Sequence, residues 1–548
     1  MSFKINSLYL TDGYKVGHKA MLAEGTTKLY GTWIPRSVKH APKGVTKVVS
    51  FGQQLVWKWI HDEFEENFFM TKNKQQAVGS SHEEDILKAC KKSATDFIKD
   101  MSLYLGMDYD GKHFEELWDL GYLPIRVKSL PEGLETNPNI PHMTFVNTVD
   151  GFAWLTLYLE TVVSALAWKP STAATIAKLY RRQAEEWVKK TDPSNQWLVD
   201  YMCHDFSARG TDPMSMYLFG LGHATSFRGS DTLPVIPAAR YFYGEPDNEV
   251  CINSVNASEH SVSTTKIFTV SEQQMIADWT KIFPKGILSI VADTFDLWKL
   301  ITEYLPANKD AIMARDGKLV IRPDSGNPVD ILCGIDDYKQ DDDGTMYKVH
   351  YTSGMFRDRG NQISPSEQKG VIELLWDIFG GTVNEQGYKV LDPHIGAIYG
   401  DSITPERQLQ IYERLAAKGF AATNIVLGVG SFTYQYNTRD TLGFAAKGAW
   451  FEVKTEDSVK TYDIYKDPIT DDGTKKSLKG LLKVCYDGSM ETYKDLGCPP
   501  DGSPKPIIVK TECTPVEENQ GLLQLIYEDG KVYNQTTLAE VRKNLSLL

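Results

Sequence analysis

Two hydrophobic periods alternate along the chain. Short continuous apolar runs, ILSIVAD (287–293) and KLVIRPD (318–324), end in charged residues: Asp293 in the first, Arg322 and Asp324 in the second. Between them, FDLWKLITEYL carries apolar positions at helical spacing. Runs of this kind alternating with helical patterns predict parallel strands joined by crossover helices. The unit recurs. IGAIYGD ends in Gly400 and Asp401, and Thr404 with Pro405 then opens a helix that Gly419 stops. NIVLGVGS ends in Gly428, Gly430 and Ser431, and WLVDYMC runs into HDFSARG as a further strand. Ser271 and Gln274 predict a capping box opening SEQQMIADWTKIF, and Ser364, Pro365 and Glu367 open SPSEQKGVIELLWDIFG as one helix. GFAWLTLYLETVVSALAW is apolar almost all round and predicts a buried helix, after which Ser171 caps a separate helix, TAATIAKLYRRQAEEWVKK. Together these units predict a β/α barrel over about residues 160–434.

The flanks read differently. KLYGTWIPR, KVVSFGQQLVWKWI and PIRVKSLPEG mix strands with helix, and a polar helical segment ends on Gly106 as a C-cap. After residue 435, GFAAKGAWFEVK, LLKVCYD, PIIVK and LLQLIYEDGKVY are strands separated by acidic turns. They are expected to return and pair with the first part. The expected fold is therefore α/β: an irregular β/α barrel (160–434) with a second, discontinuous α+β sheet domain built from both termini (1–159 and 435–548). GIDDYKQDDDGT predicts a solvated hairpin, because its acids lack calcium-loop spacing.

Composition narrows the function. At 548 residues the chain exceeds one ordinary core. A net charge of -13 argues against a nucleic-acid surface, although arginines and lysines converging locally still suit a small anionic substrate. Seven scattered cysteines with no C-x-x-C pair fit reduced thiols. No run is long and apolar enough for a signal peptide or a membrane span. The expectation is a cytoplasmic protein that uses neither membrane nor nucleic acid.

In a parallel β/α fold, ligands gather at the carboxyl ends of the strands, where Asp293, Arg322 and Asp324 are expected. There is no Walker A loop, and neither GLG (220–222) nor GVG (428–430) continues into a dinucleotide fingerprint. NIVLGVGS fits a phosphate cradle and a plain tight turn equally well. His260 sits among small residues in SVNASEHSVSTT, which would let a bulky polyanion approach, with Asp293 available to orient the imidazole. Phe206 with Arg209 suits a flat ring beside an anion, and Phe206 suits a core position equally. A metal-dependent hydrolase or aldolase would call for two or three histidines on strand ends, and His204 with His260 is too few.

TDGYK, IPR, HDFSARG, FRGSDT, SVNASEHS, SIVADTFD, IRPDSGNP, YGDSI, NTRD and YKDP occur in this order, within a match that runs from about Thr11 to Lys479. Their order and spacing resemble the nicotinate/nicotinamide phosphoribosyltransferase family of type II phosphoribosyltransferases. The resemblance implies a homodimer with shared active sites. It implies a reaction that makes nicotinamide mononucleotide and pyrophosphate from nicotinamide and phosphoribosyl pyrophosphate with Mg²⁺, aided by ATP through a phosphorylated histidine. Residue by residue, it implies that Phe206 stacks one face of the nicotinamide and Tyr14 of the other subunit covers the second. Asp231 accepts from the carboxamide, and Ser289 lines the same pocket. Arg209 and Arg322 hold the pyrophosphate and Asp324 sits by the ribose. Gly400, Asp401 and Ser431 contact the ribose and 5′-phosphate, which Arg439 and Lys447 reach across the dimer. Arg36, Lys466 and Lys475 serve the pyrophosphate or ATP phosphates, and His260 is the phospho-acceptor, oriented by Asp293. A nicotinate-using enzyme on the same fold is the alternative, disfavoured because Asp231 would repel a carboxylate, at on the order of a few kcal/mol in a dry pocket. The chain departs from the family's pattern at Ser431 and Phe432, where glycines are usual, and at Asn256, where a proline is usual. No metal ligands are assigned by the motifs.

Overall fold

The structure is a computed structural model describing residues 4–352, 356–400, 402–466, 478–487 and 506–546. Two seven-stranded sheets organise it. The first is antiparallel, in the order Val459–Asp463, Ala445–Lys454, Thr26–Ile34, Met143–Asn147, Ile125–Ser129, Gln524–Glu528, Lys531–Val532. Strands from the two ends of the chain thus lie side by side: Tyr30 pairs with Trp450, and Val127 with Tyr527. Trp33 stacks on Phe444 at 5.0 Å within the core of this sheet, so its centre joins residues more than 400 positions apart in sequence.

The second sheet is wholly parallel, in the order Gly229–Ser230, Cys203–Asp205, Ile425–Val429, Ile395–Tyr399, Leu319–Arg322, Leu288–Val291, Asn256–Ala257. It curls until Gly229, on one edge strand, bridges Asn253, just ahead of the other. Leu288–Val291 and Ile395–Tyr399 are buried at every position, as continuous apolar runs require when both faces are covered. The hairpin expected at 334–345 is present, with Tyr338–Gln340 pairing antiparallel to Met346–Thr352. Gly106 ends the Glu83–Leu105 helix in the left-handed conformation.

Several local expectations are corrected. Ser171 does not cap a helix. Glu160–Thr191 is one helix that carries Pro170 inside it. The Ser171 hydroxyl donates to the Val49 carbonyl, Thr175 accepts from the Val49 N–H at 3.0 Å, and Gly52 lies against the Pro170 ring. Packing against the 48–52 segment sustains a helix that a proline would interrupt in isolation. The opposite happens at Gly370. Its φ of 81° splits the expected single helix into Pro365–Lys369 and Val371–Phe379, because Gly334 packs so closely that a Cβ at Gly370 would lie 2.2 Å from the Gly334 nitrogen. The capping box at Ser364 is complete, whereas at Ser271 only half of one forms. Gln274 sends its amide to Asp278 at 2.8 Å instead of back to the cap. WLVDY lies in a 3-10 stretch, Pro193–Tyr201, and the strand itself is only Cys203–Asp205.

Candidate active site

Because the second sheet is parallel, the carboxyl ends of all its strands open on one rim. His260 follows Asn256–Ala257 and opens the helix His260–Ile267. Its Nε2 lies 3.6 Å from Asp293 Oδ1 and 3.9 Å from Asp324 Oδ2, and its Nδ1 lies 3.3 Å from the Thr294 hydroxyl. The imidazole is half exposed, while the Asp293 carboxylate is only 6 % exposed. Asp293 Oδ2 accepts from the Asp324 N–H at 3.0 Å and the Ser325 hydroxyl at 2.5 Å. Arg322 donates through one terminal nitrogen to the Ser258 carbonyl at 2.8 Å. Two oppositely charged polar atoms of this cluster are buried without a hydrogen-bond partner among the described residues, Asp293 Oδ1 and Arg322 Nε. Buried polar atoms are normally paired, so an anion and a cation arriving with a substrate would complete this cluster.

Glycines set how closely the rim packs. A Cβ at Gly400 would lie 2.6 Å from Asp324 Oδ1, and one at Gly428 would lie 2.7 Å from the Phe206 ring and 2.9 Å from Gly400 Cα. The GVG turn thus serves close approach at Gly428, whereas Gly430 faces open space. Gly210, next to the exposed Arg209, abuts Ser431, whose hydroxyl lies 3.3 Å from the Ser207 carbonyl. The Phe432 ring is exposed and stacks on Tyr436 at 4.8 Å, which puts its bulk on that neighbour.

Phe206 forms one wall of the rim, with its N–H donating to the Val429 carbonyl at 2.9 Å. His204 and Phe206, two residues apart, lie with ring centroids 4.7 Å apart. His204 Nε2 is 3.0 Å from Asp231 Oδ1, and the Ser254 hydroxyl donates to the same oxygen. Burial pushes the Asp231 carboxyl up, but the hydrogen bonds and charge of His204, the Ser254 hydroxyl and the Arg322 charge outweigh it and hold the group below the usual carboxylate range. Ser289 is buried in Leu288–Val291, and its carbonyl accepts from the Ser258 N–H at 3.0 Å.

The remaining predicted residues are anchored in the antiparallel sheet and its turns. Arg36 donates to the Gly443 carbonyl at 3.0 Å, which brings it to the Arg439–Thr441 turn. Lys447 lies 3.5 Å from Glu160, whose other oxygen holds the buried Lys15 ammonium at 2.9 Å. Tyr14 is 67 % exposed, and Lys466 lies just past Val459–Asp463. Asp401 and Lys475 fall outside the described residues. Sequence reasoning missed His204 as a site residue, along with Ser254, Ser258 and Thr294. For His204 a signal existed, since it stands two places before Phe206 at the same strand end. Among the described residues no group of three or more His, Cys, Asp or Glu is placed to hold a metal ion, and no helix is long and apolar enough to cross a membrane.

The model of the nicotinate phosphoribosyltransferase (NAPRTase) family matches residues 201–501, which include the whole rim from Cys203 to Ser431. The chain belongs to this family. It is 37% identical over 562 residues to a nicotinamide phosphoribosyltransferase of Acinetobacter baylyi, covering 100% of this chain and 98% of that one. It is 30% identical over 434 residues to one of Xanthomonas campestris, covering 77% and 79%. Its fold resembles that of human nicotinic acid phosphoribosyltransferase, with a TM-score of 0.50 at 13% identity over 98% of this chain and 93% of that one. The same score and identity relate it to a nicotinate-nucleotide pyrophosphorylase of Pyrococcus furiosus, over 100% and 97%.

Proposed function

We propose that the chain transfers the phosphoribosyl group of phosphoribosyl pyrophosphate to nicotinamide, giving nicotinamide mononucleotide and pyrophosphate in the cytoplasm. The observation that carries this reading is Asp231. It is an ionised carboxylate with one oxygen occupied by His204 and Ser254, and its other oxygen has no protein partner among the described residues. Such an oxygen accepts from a carboxamide NH₂ and repels a carboxylate, so amide is favoured over acid. The full-length relatives named for nicotinamide support the same choice.

Cleavage of the ribose–pyrophosphate bond builds positive charge on C1 and negative charge on the leaving group. Arg322, through its unpartnered Nε, and Arg209 take the pyrophosphate oxygens, and Asp324 faces the ribose as its charge develops. Gly400 and Asp401 line the ribose, and Ser431 offers its N–H to the 5′-phosphate. The pyridine nitrogen already carries a lone pair, so Phe206, Asp231 and Ser289 act by positioning the base. In a homodimer with shared sites, Tyr14, Arg439 and Lys447 of one subunit complete the rim of the other. Arg36, Lys466 and Lys475 serve the polyphosphate chains. The donor set fits Mg²⁺, because Asp293 Oδ1, which has no hydrogen-bond partner among the described residues, and the partly exposed Asp324 Oδ2 are hard oxygens set about one imidazole, and Mg²⁺ takes one or two carboxylates plus substrate phosphates. When bound there, it would neutralise the polyphosphate charge. His260 accepts the γ-phosphoryl of ATP on a ring nitrogen, releasing ADP, while Asp293 holds the ring.

The test is direct. Purified protein with phosphoribosyl pyrophosphate and Mg²⁺ is offered nicotinamide or nicotinate, and the nucleotide formed is identified. Nicotinamide mononucleotide as the main product is expected, and nicotinate mononucleotide as the main product refutes the reading.

A further inference from the structure

We propose that His204 is a positioning residue that sets the preference for amide over acid, by holding Asp231 with one oxygen turned to the substrate; this rests on the function proposed above. His204 lies in the strand Cys203–Asp205 with its side chain 11 % exposed, so its ring has one seat. That seat depends on Gly229, where a Cβ would stand 2.9 Å from His204 Nδ1. From there Nε2 reaches Asp231 Oδ1 at 3.0 Å, and the Ser254 hydroxyl reaches the same atom. Asp231 is an acceptor when ionised, which makes Nε2 the protonated, donating nitrogen of His204. Two donors on one oxygen keep the carboxylate from exchanging its oxygens, and Oδ2 is left as the acceptor for the ligand. The same imidazole lies 4.7 Å from the Phe206 ring, so it braces both the stacking wall and the amide acceptor.

A purely structural role would act through the ring's bulk against Phe206, and the two roles separate by substitution. His204→Gln keeps an N–H near the position of Nε2 but loses the ring, whereas His204→Leu keeps bulk and loses the donor. A charge-assisted hydrogen bond is worth roughly tenfold or more in affinity. In the full-length enzyme, His204→Leu is therefore expected to raise KM for nicotinamide about tenfold, with kcat and the KM for phosphoribosyl pyrophosphate little changed. The nicotinamide-to-nicotinate ratio of kcat/KM should fall by about the same factor. His204→Gln should keep that ratio within about threefold of the parent. Ser254→Ala, at an exposed position, should shift it less but in the same direction. The proposal is overturned if His204→Gln behaves like His204→Leu, or if His204→Leu leaves the ratio unchanged. Should His204→Leu fail to fold, an unchanged ratio in Ser254→Ala overturns it, and a lowered ratio there with His204→Gln near the parent sustains it. A parent enzyme that makes no nucleotide from nicotinamide defeats the functional reading and this proposal together. A parent that does so, with a ratio insensitive to His204→Leu, defeats this proposal alone.

Discussion

Replacing Gly428 by alanine tests how the rim is assembled. The added methyl carbon would lie 2.7 Å from the Phe206 ring, 2.8 Å from the Tyr399 carbonyl oxygen and 2.9 Å from Gly400 Cα. Two of these three atoms are backbone of the neighbouring strand end, locked by the parallel pairing of Tyr399 with Leu427, so they cannot swing aside. Gly428 lies in a regular strand and not in the left-handed region, and the penalty is therefore steric alone. Overpacking of this kind costs about 1–3 kcal/mol. The ring of Phe206 is the softest neighbour and takes up part of the movement. Losing a well-placed aromatic stack costs a further ~1 kcal/mol, or about fivefold in affinity for the base. Gly428→Ala should lower the Tm by several degrees and raise the KM for nicotinamide more than that for phosphoribosyl pyrophosphate. Gly430→Ala, two residues on, meets nothing within 4 Å and serves as the stability control, with its Tm unchanged. If the two variants unfold at the same temperature, or if Gly428→Ala leaves the nicotinamide KM unaltered, the close-approach account is wrong.

Four other outcomes are expected. Asp231→Ser should reduce use of nicotinamide and improve use of nicotinate, each by roughly tenfold, as competition assays with both bases would read. His260→Ala should abolish acid-labile phosphate on the protein after incubation with labelled ATP, and Asp293→Asn should reduce it; label that persists in His260→Ala excludes this phospho-acceptor. Mixing Tyr14→Ala with Arg322→Ala protein should restore part of the activity through hybrid dimers, and no recovery after demonstrated subunit exchange argues against a shared site. Burial pushes His113 and His142 down to about 3 and His223 to about 4. Below pH 6.5 the unfolded chain therefore binds protons that the folded chain refuses, and stability falls as pH drops toward 4, by up to about 1.4 kcal/mol per histidine per pH unit. Tm measured from pH 7 to 5 should fall, and a flat profile would refute neutral burial of these rings.

The strand ends that form the rim were legible locally. Continuous apolar runs ending in charged residues located the rim strands at Asp293 and Arg322. Thr404, Ser364 and Gly106 marked helix ends through side-chain and backbone rules that act within one turn. The ordered motifs identified the family before any distance was known. Other features were not legible, because the deciding partner is remote. Pro170 remains helical because the 48–52 segment packs on it, and Gly370 breaks a helix because Gly334 crowds it.

The sequence by itself therefore determined the class of fold, the strand ends that carry charge, and where the helices are capped. Each of these follows from hydrophobic period, capping chemistry or residue type, which are properties of neighbours along the chain. Only the tertiary structure decided that His204 meets Asp231 27 positions away, that Asp293 sets a buried oxygen with no hydrogen-bond partner among the described residues 3.6 Å from His260, and that Gly400 and Gly428 make room for Asp324 and Phe206. Those relations depend on which strands become neighbours when the parallel sheet curls. No local pattern encodes that, because contact between distant segments is settled by the packing of the whole core.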